Sequence, residues 1–145
     1  MAQKFKLQTV LDYRKILEDQ AQQKLAETLQ AQTVLEQQNQ AIEQQRVSVV
    51  AQIEQKQSEG LSVMELQLFE DEIFHLRQKQ SRLKEQLEQM TLMLNQCRLE
   101  LMHAMRERKV IEKLKDKQLA EYLRKLDQKE RILLDEISLR RKGDR

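Results

Sequence analysis

The chain has 145 residues, no proline, two glycines, 3% aromatic and 34% charged side chains. That is the length of one domain, but too few large apolar side chains are present for a multilayer core, and no apolar run is long enough to cross a bilayer. Net charge is only +2, yet the balance is uneven: residues 106–145 hold fourteen Lys/Arg against nine Asp/Glu. A basic end on a neutral body points to an acidic protein, nucleic acid or membrane surface as partner.

The opening "MAQKFKLQTV" has no continuous apolar core and no small-residue cleavage site, so no signal peptide is expected. The lone Cys97 cannot form an internal disulfide and fits a reducing compartment. Helix 1 is expected from about residue 4 to 57. Its apolar seam is Leu7, Val10/Leu11, Leu17, Ala21, Leu25, Thr28, Ala31, Leu35, Ile42, Val49 and Ile53. These positions recur at helical period. Arg14, Gln38 and Gln45 fall in the same frame, which weakens the seam around residues 38–49. Fifteen glutamines in residues 1–57 make the outer faces polar.

The stretch "SEGLSVME" then stops one helix and starts another, with a turn at about 58–62. Gly60 can take the positive φ that a helix stop requires. Ser62 and Glu65 form an S-x-x-E capping box, and Leu61 and Leu66 can staple across it. Two long helices joined so briefly fold back antiparallel.

Helix 2 is expected from about 63 to 141. Leu66, Phe69, Ile73, Leu76, Gln80, Leu83, Leu87, Met90, Leu94, Cys97, Leu101, Ala104, Arg108 and Ile111 alternate by three and four, a coiled-coil seam. The apolar frame then slips to Leu119, Leu123, Leu126, Leu133 and Ile137. Folding about residue 60 pairs residue 4 with about 116. That leaves 117–141 as an overhang without a partner in its own chain. An unpaired apolar stripe on a basic helix predicts contact with another chain. The fold class is all-α: one coiled-coil domain, an antiparallel two-helix hairpin with helix 2 longer than helix 1.

No constellation for catalysis stands out. Gly60 and Gly143 are too far apart for a phosphate-cradling loop. His75 and His103 point away from the seam and are too distant for one metal site. Cys97, at a seam position, is a packing residue. The pairs Asp71/Glu72 and Asp135/Glu136 belong to solvated faces. No enzyme activity, cofactor or metal is therefore expected. In "RLELMHAMRERKVIEKLKDK" the bases alternate with Glu100, Glu107, Glu112 and Asp116. That pattern supports the helix itself rather than a nucleic-acid groove or a membrane surface.

The opening "FKLQTVLDYRKILEDQAQQKLAE" resembles the start of the flagellar FliJ family, an F-x-L-x-x-[VL]-L-D-x-R beginning before a Gln/Ala/Glu-rich helix. The hairpin near residue 60 and "RERKVIEKLKDKQLAEY…LDEI" resemble its middle and end. The resemblance implies a non-enzymatic coiled-coil stalk of the flagellar type III protein export apparatus, and hence a part in motility. It implies a cytoplasmic place, peripheral on the membrane at the flagellar base. The implied partners are the export ATPase ring, the export gate's cytoplasmic domain, and further the ATPase regulator and substrate chaperones. Carried onto this chain, the ring contact is Lys113, Lys117, Leu119, Tyr122, Leu123, Arg124, Lys125 and Leu126. The gate contact is Gln38, Ile42, Gln45 and Val49 with Phe69, Ile73, Leu76 and Gln80. These last are also seam positions, and burial of Phe69 and Ile42 between the helices would favour core over partner surface. A generic coiled-coil scaffold or adaptor, or the stalk of a virulence secretion system, is the alternative reading.

Overall fold

The computed structural model describes residues 5–143. It is an all-α helical hairpin: α1 runs Gln8–Glu59 and α2 runs Val63–Gly143, with no strand among the described residues. The expected start near residue 4 lies outside the described residues.

The turn forms as its chemistry dictates. Gly60 has φ 103°, the only positive φ among the described residues. A Cβ there would meet no atom within 4 Å, so conformation rather than space demands glycine. Ser62 Oγ accepts from the Glu65 amide at 3.2 Å, and its carbonyl accepts from the Leu66 amide at 3.0 Å. The first satisfies one of the four orphan donors of α2, and the second is the helix's first i→i−4 bond. The Glu65 carboxylate turns to Lys56, 3.7 Å away, and Leu61 and Leu66 are half-buried.

Two compact units divide the chain: residues 22–100, and residues 1–21 with 101–145. In the first, Val49, Leu76, Leu83, Leu94 and Cys97 are buried between the helices. Thr28 and Cys97 face each other at 3.7 Å. Thr28 Oγ1 already donates to the Lys24 carbonyl at 2.8 Å, which leaves the thiol as the donor between them. The polar stretch near residue 40 is resolved differently from the sequence expectation. Gln38 and Gln45 are exposed, and Asn39, Ile42, Glu43 and Arg46 are the half-covered positions. Glu43 accepts from Gln80 at 2.6 Å and from Arg46 at 2.6 and 3.2 Å. A hydrogen-bonded polar layer thus stands where apolar residues run out. These bonds, Arg46 first and Gln80 second, hold the Glu43 carboxyl below its usual range.

In the second unit Leu11 is the one buried apolar side chain among the described residues, at 1% exposure. Leu17, Ala21, Leu101, Ala104 and Ile111 are half-buried beside it, and charged side chains share the seam with them. Arg108 reaches Glu18 and, at 2.7 Å, Glu112. Arg14 lies 3.4 Å from Glu107, and its buried Nε finds no acceptor. The covered positions of α2 continue through Ile111, Lys115, Gln118 and Tyr122 in unbroken steps of four and three. The expected frame slip does not occur. The seam keeps its period while Lys115 and Gln118 replace its apolar residues, so composition conceals the frame.

Candidate interaction surfaces of the hairpin

Two surfaces follow from this packing. The first begins where pairing ends. Thr28 opposite Cys97 and Glu43 opposite Gln80 centre the pairing of residues 22–100 past residue 60. Phe5, Gln8 and Thr9 accordingly lie beside Lys115, Gln118, Leu119 and Tyr122, at an open groove of about 570 Å³. The unpaired segment therefore starts at residue 123, not at 117. From there to Gly143 every residue is exposed, including Leu123 at 55% and Leu133 at 58%. Leu126, Ile132, Leu134, Ile137 and Leu139 are exposed with them.

Of the residues assigned to the ring contact, Lys113, Lys117, Leu119, Leu123, Arg124, Lys125 and Leu126 are all exposed. Tyr122 is half-buried at the last paired position. Leu119 and Tyr122 thus belong to the paired region, with Leu119 open to solvent on its flank. Arg131 and Asp127 pair at 3.2 Å on the free segment, as i,i+4 neighbours.

The second surface is a set of grooves along the seam of residues 22–100. Near the turn, Gln45, Ser48 and Gln52 face Leu68, Glu72 and His75. Further along, Gln38 and Ala41 face Lys79, Arg82 and Gln86. Beyond these, Ala31 and Val34 face Gln89 and Met93. The residues assigned to the gate contact divide over this geometry. Gln38 and Gln45 are exposed on the groove wall, and half-buried Ile42 lines it. Val49 and Leu76, at 4% and 6% exposure, are core and offer a partner only a floor. Phe69, Ile73 and Gln80 are half-buried and line none of these grooves. Phe69 carries the Lys56 ammonium 5.6 Å over its ring, and Gln80 is engaged by Glu43. The α2 side chains that share a groove with Gln38 and Gln45 include Leu68, Asp71, Glu72, His75, Lys79 and Arg82, which sequence reasoning missed. They flank the seam on one side, and their signal was the alternation 68, 72, 75, 79, 82, parallel to the apolar frame.

Among the described residues no cluster of His, Cys, Asp or Glu could hold a metal ion, and no helix is long and apolar enough to cross a membrane. The profile of the family described as flagellar FliJ protein matches residues 3–145. The chain belongs to this family. FliJ proteins are a non-catalytic component of the flagellar export apparatus, and the match spans the opening motif, the hairpin and the basic end alike. No curated protein and no solved structure matches the chain.

Proposed function

We propose that this FliJ chain acts as a stalk-like coiled coil that binds the export ATPase ring and links it to the export gate, supporting flagellar protein export and motility. One observation carries the reading: α2 continues 21 residues beyond its last paired position, Tyr122, with an exposed apolar stripe and basic flanks. A helix that buries nothing on its own chain has its apolar face free for another. The ring contact is Leu123, Arg124, Lys125 and Leu126, extended on the paired side by Lys113, Lys117, Leu119 and Tyr122. The gate contact is the exposed Gln38 and Gln45 with half-buried Ile42 between them. The ATPase regulator and substrate chaperones are further partners. The protein works in the cytoplasm, held peripherally at the membrane through the export apparatus.

The test is the affinity of the full chain for the purified flagellar export ATPase. Arg124→Glu with Lys125→Glu is expected to weaken binding at low salt while the hairpin's helical circular dichroism stays unchanged. Unchanged affinity at low salt would sink the ring contact. Gln38→Lys with Gln45→Lys tests the gate contact in the same way, against the gate's cytoplasmic domain.

A further inference from the structure

The three groove segments of residues 22–100 are continuous. The first two share Gln45 and Lys79, and the second and third share Gln86. They lie on one side of the seam and follow α1 from Gln52 to Ala31, about 32 Å at the helical rise. The α1 wall carries no charge anywhere along that length: it offers amides, a hydroxyl and small apolar side chains.

The α2 wall is ordered instead. Leu68 comes first with Asp71 and Glu72, then the cations Lys79 and Arg82, then Gln86 and Met93. None of these four charged side chains takes an ion pair or hydrogen bond among the described residues. Met93 and Val34, at the far end, are 52% and 46% exposed.

A long groove between two antiparallel helices has the shape that a third helix of a coiled coil fills. Ala31, Ala41 and Ser48 let a backbone approach closely, and a helix brings its own backbone hydrogen bonds already satisfied. Charge selects the occupant. We infer that the groove docks one amphipathic helix of about 20 residues from another protein. Its bases lie over Asp71 and Glu72, its carboxylates over Lys79 and Arg82, and its apolar side chains over Val34 and Met93. A second copy of this chain, centred near His75, would match the charged part and leave Val34 and Met93 uncovered. The inference rests on the reading of the Gln38–Gln45 face as a contact surface, and adds the chemistry of what it contacts.

The test uses the full chain and dye-labelled helical peptides of that length, read by fluorescence anisotropy at low salt. The matched peptide carries Lys, then Glu, then Leu along one face, and is made in both chain directions. The control has its Lys and Glu exchanged. One matched peptide is expected to bind about ten-fold tighter than its control. Lys79→Glu with Arg82→Glu reverses the preference, and Val34→Arg weakens both. Equal binding of matched and exchanged peptides, or binding of neither, overturns the inference. So does self-association of the chain in sedimentation that Lys79→Glu with Arg82→Glu abolishes, since the occupant is then a second copy. A gate domain indifferent to Gln38→Lys and Gln45→Lys overturns the gate contact alone, and the peptides still decide the groove.

Discussion

The two units of this hairpin use the same helix pair with different glue. Residues 22–100 bury Val49, Leu76, Leu83, Leu94 and Cys97 and add the polar layer at Glu43 and the more exposed pairs Lys24–Glu100 and Lys56–Glu65. Residues 5–21 with 101–122 bury Leu11, half-bury Leu17, Leu101 and Ile111, and add the cross-helix pairs Arg14–Glu107 and Arg108–Glu18. Ionic screening touches apolar layers little, and it weakens the part-exposed pair Arg14–Glu107 more than the better-covered Arg108–Glu18. The unit richer in ion pairs is the one from which the exposed end of α2, residues 123–143, continues.

The largest effect should come from removing an apolar layer. Leu94→Ala empties a position that is 3% exposed and is expected to cost about 2–4 kcal/mol in urea unfolding. A cost near that of a surface substitution would mean the layer is not core. Gly60→Ala comes next, at about 1–2 kcal/mol, because an L residue must hold φ 103°. Gly60→Asn should cost less, and equal thermal midpoints for all three chains would remove the turn from the account. Ser62→Ala follows at about 1 kcal/mol through the lost cap on the Glu65 amide.

The smaller effects discriminate between the units. Glu18→Gln with Glu107→Gln should raise hydrogen exchange in residues 8–21 and leave residues 28–53 as protected as before. Uniform loss of protection would show one cooperative seam instead of two. In the other unit the sign of the pH effect follows from Glu43. Its folded carboxyl is held below the ordinary range by Arg46 and Gln80. The stability it contributes is present above the unfolded carboxylate pKa and is lost as pH falls through the lower folded value. Gln80→Leu should flatten that acid-side slope in thermal unfolding.

Much of the fold was legible because it depends on short-range chemistry. Gly60, Ser62 and the Leu66-to-Ile111 frame each follow from one or two residues and a period. The register was less legible. The pairing centres past residue 60 because the turn lies between Glu59 and Val63, and no side chain announces that. The seam past Ile111 was hidden because Lys115 and Gln118 occupy covered positions on their aliphatic stems. Gln38 and Gln45 were placed in the seam because their spacing fits it. The structure puts Asn39 and Arg46 there, since Glu43 pulls Arg46 and Gln80 into one layer. The contact surfaces were legible only as stripes. Which α2 residues join Gln45 depends on the rotation of two helices against each other, and a single sequence does not display that.

The most direct measurement is the hydrolysis rate of the purified flagellar export ATPase with the full chain and with a chain ended after Tyr122. The shortened chain keeps every paired position and loses only the free segment. The account predicts that the full chain raises activity or ring assembly and that the shortened chain does neither while keeping its helical content. Equal stimulation by both chains, or no co-purification of the full chain with the ATPase, would contradict it.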